Sequence, residues 1–556
     1  MAALYGMMMD TPLLLITLLE YAARYHGDTE IVTRTVEGPI HRYDYRRCFA
    51  RTAQLAHALG RFGIREGDRV ATLAWNTHRH LELYYAIPGI GAVCHTINPR
   101  LHDDQIAYIV NHAEDRIIFT DLTFLPILER LAPAFKTVEA VVVLTDEAHM
   151  PATSLSGLRC YEAFFAGLPE CYDWPRLDER AAASLCYTSG TTGHPKGVLY
   201  SHRSNMIYAM NICHRDAVGY GSADAVLPVV PMFHVHAWGI PFGAPLGGSK
   251  LVMPGAKLDG ESLYALLADE AVTVSAGVPT VWASLIDHMR RTGKRLPALR
   301  SIGIGGAAAS PAMIDAFERE FGIPVMHGWG MTETSASATN STLPARERNL
   351  AYDERAVYTA KQGRGRCFID IKVVDDDGAE LPWDGQSAGE LHVRGHWIAR
   401  GYFRDEAATH AALDKDGWLR TGDVATIDPR GYLQIVDRLK DVIKSGGEWI
   451  SSIDLENAVA GHPGVLEAAV IARPDPRWGE RPVLFVRTSL ERSVTKESII
   501  DFLREKVAKW VLPDEVIFVE ELPHTATGKI AKRVLRDRLL DVKGPGRKRG
   551  RATAGS

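Results

Sequence analysis

The eleven residues Tyr187 to Gly197, YTSGTTGHPKG, crowd threonines, a serine, three glycines and a lysine into one turn. An apolar run, Ala182 to Tyr187, leads in and reads as a buried strand; a second short strand, Val198 to Tyr200, leads out. Ser201 then stands where a helix running through about Cys213 needs its cap. A strand that ends in such a turn offers backbone N–H groups and hydroxyls to a polyphosphate. The glycines admit close approach of the backbone, and Lys196 supplies charge. The spacing excludes a Walker loop, because Lys196 follows Pro195 and precedes Gly197 instead of closing a Gly-Lys-Ser/Thr run.

Around this turn the chain alternates. Helical patterns at Leu13 to Tyr25, Tyr43 to about Phe62, Leu81 to Gly91 and Gln105 to His112 are interleaved with apolar strands. The strands are at Arg69 to Trp75, Ala92 to Ile97, Ile117 to Thr120 and Val138 to Leu144, and later at Ala225 to Val230, Val272 to Val278 and from Ser301. This alternation predicts an α/β fold with largely parallel sheets. Towards the C-terminus, strands at Leu466 to Ile471, Val483 to Thr488 and Val516 to Val519 surround a helix capped by Thr495, which reads as a small α+β unit. At 556 residues, two or more domains are expected.

Composition narrows the function classes. A net charge of −5 against 63 basic and 68 acidic residues gives no basic field for nucleic acid. Seven cysteines without a CxxC pair argue for a reducing, cytoplasmic setting and against a zinc cage. The apolar run Pro12 to Leu19 is too short to span a bilayer and is flanked by Asp10 and Glu20, so no stable membrane insertion is expected.

The YTSGTTGHPKG turn closely resembles the phosphate-loop signature of the AMP-forming, adenylate-forming enzymes, and further motifs are similar to that family along the chain. They are Gly328-Trp329-Gly330-Met331-Thr332-Glu333, then Asp416 to Asp423 (DGWLRTGD), Gly431 to Ser452 (GYLQIVDRLKDVIKSGGEWISS), and Leu522 to Ile530 (LPHTATGKI). Longer strings such as ATLAWNTHRHLELYY and LPVVPMFHVHAWG are similar to one branch, the bacterial medium-chain fatty-acid–CoA ligases and methylthiopropionate–CoA ligases. The resemblance implies an ATP-dependent carboxylic acid–CoA ligase working through acyl-AMP. Medium-chain fatty acids are the first expectation, 3-methylthiopropionate or aryl acids the alternative, and a non-catalytic adenylate-binding paralogue the remote one. It also implies Mg²⁺, the co-substrates ATP and CoA, and frequent dimers among relatives. The fold implied is a large N-terminal domain of several subdomains (1–437), a small mobile C-terminal domain (438–543) and a disordered basic tail (544–556).

The resemblance also carries residue roles. Thr188, Ser189, Gly190, Thr191, Thr192, Gly193 and Lys196 would hold ATP phosphates. Gly306, Trp329, Gly330, Met331 and Thr332 would border the adenine, with Trp329 where the family usually has Tyr. Glu333 would anchor the metal, since a hard cation that keeps phosphate and water oxygens needs only one carboxylate. Asp423 would take the ribose hydroxyls, and Arg438 the ribose or phosphates. His234, His236, Trp238, Gly306 and Gly328 would line the acyl pocket. Lys440 falls at the hinge, Gly446, Gly447 and Trp449 on the CoA side, Lys444 near the thioester step, and Lys529 matches the catalytic lysine. Gln362 to Cys367, QGRGRC, lacks the proline of the usual Gly-Arg-Pro and receives no role.

Overall fold

The chain divides into two compact units, Met1–Ile435 and Val436–Ser556. The computed structural model describes residues 4–188, 194–446, 448–489, 494–524 and 530–541. The sequence places the division two residues later, at 437/438; the strand Leu433–Arg438 carries the chain across the observed boundary.

Unit 1 holds three sheets among the described residues. A seven-stranded sheet runs in the order Arg159–Cys160, Ala140–Val143, Asp115–Thr120, Arg69–Leu73, Val93–Thr96, Ala182–Tyr187, Gly197–Ser201, parallel until the last pair. That last pair is the antiparallel hairpin carrying the phosphate loop, so the loop leaves the sheet at its edge. A nine-stranded sheet has a parallel centre, with Lys250–Met253, Ala225–Pro228, Val274–Gly277, Ser301–Ile304 and Val325–Trp329 in neighbouring order. The third sheet begins with the antiparallel strands Ile369–Val374, Gly389–Gly395 and Leu419–Ile427. The parallel strands are buried on both faces, which is why they read as continuous apolar runs.

Two helices position the site. Ser201 caps His202–Cys213 as expected, its Oγ accepting from Ser204 N–H at 3.0 Å. The cap fixes the helix phase, so Tyr208 and Asn211, three residues apart, share one face. The first helix, Ile16–Tyr25, starts three residues later than its sequence pattern and buries Leu18, Leu19 and Ala22 against the core. No helix among the described residues is long and apolar enough to cross a membrane, and all seven cysteines are free.

Unit 2 has one sheet among its described residues: Glu448–Ile450, Ile443–Ser445, Gly479–Thr488 and Val465–Asp475, with Glu515–Phe518 pairing in parallel to Gly479–Thr488. Helices Ser452–Ala460 and Lys496–Arg504 bury Leu455, Val459, Ile499 and Leu503 against it. The mixture of a mostly antiparallel sheet with helices is the α+β unit the sequence predicts.

Candidate active site

The neck of the phosphate loop is closed from both sides. Thr188 N–H donates to the Lys196 carbonyl at 2.9 Å, and Lys196 N–H donates to Thr188 Oγ1 at 3.1 Å. Ser189, Gly190, Thr191, Thr192 and Gly193 lie outside the described residues. Gly197 O accepts from Phe403 N–H at 2.8 Å, which ties the hairpin to the segment Gly401–Phe403. That tie brings in a residue the sequence did not flag. The Tyr402 ring lies under the Lys196 ammonium, 4.9 Å from its centroid, and Tyr402 Oη donates to Glu333 Oε1 at 2.6 Å. Lys196 and Glu333 thus share one tyrosine, by its face and by its hydroxyl. Burial and the Glu333 carboxylate push the Tyr402 phenol far up, so it remains a donor.

Glu333 is 5% exposed and sits in the short 3-10 turn Thr332–Thr334. The turn is held by its backbone: Tyr200 Oη donates to Thr332 O at 2.6 Å, Ala399 N–H to Glu333 O at 2.7 Å, and Met331 N–H to Thr334 Oγ1 at 2.9 Å. Ahead of it, Gly330 passes so close to Ala336 O that a Cβ would stand 1.9 Å from that oxygen. No group of three or more His, Cys, Asp or Glu side chains gathers at metal spacing among the described residues. Glu333, one buried carboxylate beside a phosphate loop, still suits a magnesium ion that brings its phosphate and water oxygens with it.

Trp329 and Asp423, 94 residues apart, meet directly. Trp329 Nε1–H donates to Asp423 Oδ2 at 2.8 Å, and Asp423 is 2% exposed. Trp329→Phe keeps a flat ring but strips one buried carboxylate oxygen of its donor, a change of about 1–3 kcal/mol. The expected outcome is a rise of roughly tenfold or more in the KM for ATP with kcat nearly unchanged. Steady-state kinetics with ATP varied measures it, and an equal fall in kcat would contradict it.

A small cavity opens beside Trp329. Trp238 and Ile240 form one wall, Gly303 to Gly306 another, and Gly328 to Gly330 a third. Gly305 makes room for the Trp238 indole: Cη2 stands 3.1 Å from where a Cβ would be. Gly306 takes a φ of +78°, which a side chain would strain. Trp238, Gly306, Gly328, Trp329 and Gly330 therefore border one cavity.

His236 does not join them. Val235, His236, Ala237 and Trp238 all have positive φ, from 42° to 54°, followed by Gly239 at 75°. This left-handed turn sends Trp238 to the cavity and His236 backwards, where it is 3% exposed among Tyr84, Tyr200 and Phe242. Burial lowers the His236 pKa to about 3, so the ring is a neutral packing group. The family resemblance implied a pocket residue at this position, and the left-handed turn places it behind the wall. His234, at the head of the turn, is half-buried.

In unit 2, Arg438 N–H donates to Asp437 Oδ1 at 2.7 Å, and the exposed Lys440 lies in the turn that follows. Lys444 is exposed, with its ammonium 5.5 Å from the Trp449 ring centroid. Gly446 has a φ of +62° and rests on Trp478, whose carbonyl accepts its N–H at 2.7 Å. Gly446 also borders an open hollow lined by Arg477, Trp478, Arg481 and Trp510, which motif spacing did not single out. The exposure of two large indoles in one hollow is the signal that could have found it. Gly447 and Lys529 lie outside the described residues, as does the tail 544–556.

Comparison with known proteins agrees with this geometry. The AMP-binding enzyme family model matches residues 19–403, and the model of the AMP-binding enzyme C-terminal domain matches residues 454–529. The chain is 45% identical to a 3-methylmercaptopropionyl-CoA ligase of Ruegeria lacuscaerulensis, covering 97% of this chain and 99% of that one. It is 44% identical to a medium-chain-fatty-acid–CoA ligase of Ectopseudomonas oleovorans, covering 97% and 98%. The structure of the anthranilate CoA ligase AuaEII in complex with anthranoyl-AMP superposes with a TM-score of 0.85 at 24% identity, over 96% of this chain and 99% of that one, a likeness of fold.

Proposed function

The chain belongs to the AMP-binding enzyme family and is an acid–thiol ligase, and from this premise we propose that it joins a medium-length carboxylic acid to CoA through an acyl-AMP, with Mg²⁺ on Glu333. The observation that carries the reading is the cavity: its wall ends at Gly330, three residues before Glu333, so an acid seated in it presents its carboxylate beside the Glu333–Tyr402–Lys196 group.

The carboxylate is ionised at neutral pH and needs no general base. It attacks the α-phosphorus of ATP; one P–O bond forms, the bond to pyrophosphate breaks, and acyl-AMP remains. The chain's task is to position the two anions and offset their repulsion. Lys196 and the Thr188 neck hold the phosphate side, Glu333 would hold the metal that neutralises it, and Trp329 with Asp423 would fix the nucleoside. Lys529 would add charge at the transferred group. In the second step the CoA thiol attacks the acyl carbon and AMP leaves. The hollow beside Gly446 would take part of CoA on the flat faces of Trp478 and Trp510 and on Arg477, Arg481 being ion-paired to Asp514 at 2.9 Å.

The test is AMP release from ATP by purified protein, with and without CoA, over acids from acetate to palmitate together with methylthiopropionate, benzoate and cinnamate. CoA-dependent release with an optimum in the medium-chain range is the expected outcome. An optimum at methylthiopropionate or an aryl acid would select the alternative substrate. In the same assay Lys529→Ala should lower adenylate formation by about 10²-fold or more, yet spare thioester formation from supplied acyl-AMP. Equal loss of both steps would refute that role.

A further inference from the structure

One end of the acyl cavity is polar. Arg366 lines it and is 7% exposed. It belongs to the QGRGRC segment that carried no sequence role, and its backbone N–H is fixed to Ala338 O at 2.9 Å. Its Nη1–H donates to Asn211 Oδ1 at 3.3 Å, and the guanidinium lies 5.9 Å from the Tyr208 ring centroid. The Nε–H is buried and finds no acceptor. Two hydroxyls nearby are in the same condition: Tyr208 Oη and Tyr220 Oη are buried without a hydrogen-bond partner, and Tyr208 lines the cavity as well.

The chemistry of these three groups is one-sided. An arginine side chain can only donate, and a neutral phenol can donate. Burial pushes both tyrosine pKa values up, so both hydroxyls keep their protons. Burial pulls the Arg366 pKa down, and the titratable groups acting on it are those two tyrosines, with no carboxylate among the described residues. A dry guanidinium without a counter-charge is among the least favourable things a folded chain can hold. A guanidinium fork beside the Tyr208 phenol, both in the cavity wall, fits a planar oxyanion.

We propose that Arg366, with Tyr208, binds a second carboxylate at the distal end of the acid, so that the substrate class is a medium-length dicarboxylic acid activated at one end. The inference rests on the acid–CoA ligase reading above and adds to it the identity of the far end. Only the carboxylate at the Glu333 end reacts; the distal one leaves unchanged as part of the thioester product. A simple fatty acid would lay methyl and methylene groups against an unpaired cation, and such a site rejects the analogue that lacks the polar group.

The experiment compares acids of matched length, octanoate with octanedioate and hexanoate with hexanedioate, by kcat/KM in the AMP-release assay with CoA. It uses the wild-type chain and Arg366→Met, and adds the Tm of each protein with each acid. The wild type should favour the diacids by about 10²-fold or more, and only diacids should raise its Tm. Arg366→Met should reverse the preference by gaining on octanoate and losing on octanedioate. If the variant does not fold, the wild-type ratio and Tm decide alone. A wild-type preference for the monoacids, with no diacid effect on Tm, overturns the proposal and leaves the ligase reading standing. Silence of both series overturns the ligase reading instead, and a Tm rise confined to diacids would then still uphold the anion site.

Discussion

Gly330→Ala should cost about 3 kcal/mol of stability and remove nearly all ligase activity. The added Cβ would stand 1.9 Å from Ala336 O, 2.5 Å from Ala336 C and 2.6 Å from Ser337 Cα, all backbone atoms that no rotamer change can move. Relief requires the segment between Gly330 and Ser337 to shift, and that segment carries Glu333 and the Thr332–Thr334 turn. It has little freedom, since Ser335 and Ala336 already hold positive φ of 50° and 91°. Gly328→Ala is the built-in control. Its Cβ would meet Thr339 O at 3.0 Å, a clash that a small adjustment removes. Thermal unfolding and AMP release on both variants measure the difference. Equal behaviour of the two would show that the Gly330 contact does not constrain the site.

Glu333→Gln is expected to lower kcat/KM by about 10²–10³-fold while leaving Tm within a degree or two. Glutamine has the same shape, and its carbonyl oxygen can still accept from Tyr402 Oη, so packing survives. What is lost is a negative charge, 5% exposed, at the place where a magnesium ion bound to ATP would be held. Calorimetric binding of ATP supplies a readout apart from turnover: the wild type should bind ATP more tightly with Mg²⁺ than with EDTA, and the variant should lose that difference. Retention of the difference would move the metal anchor elsewhere.

Local pattern and long-range pairing were unequally legible in the sequence. The Ser201 cap, the strand into the phosphate loop and the parallel core follow from spacing and apolar runs, because those are properties of neighbours along the chain. Trp329 and Asp423 were each singled out by motif, but their hydrogen bond spans 94 residues and needed the topology. Tyr402 and Arg366 could not be found that way. Each sits in an ordinary stretch and acquires its part only when sheet order brings it to Glu333, 69 residues away, or to Asn211, 155 residues away. His236 went the other way: the resemblance implied a pocket residue, and a change of backbone handedness moved it behind the wall.

That change of handedness bears on how such an enzyme can diversify. Four L-residues in a row on the left-handed side, at roughly 1–2 kcal/mol each, persist only because every neighbour enforces them. Val235, His236 and Ala237 are buried, Asn76 donates to Pro228 O and Val230 O at 2.9 Å each, and Asn76 Oδ1 accepts Met232 N–H at 2.6 Å. A substitution here perturbs the whole assembly, so the Trp238 wall is a poor place for gradual change. Arg366 enters the cavity wall from a separate element on ordinary backbone, and a side-chain exchange there leaves that turn undisturbed. Evolvability of substrate choice in this scaffold is therefore unevenly distributed: one wall is fixed by its own strain, and new specificities have to be written at residues outside that turn.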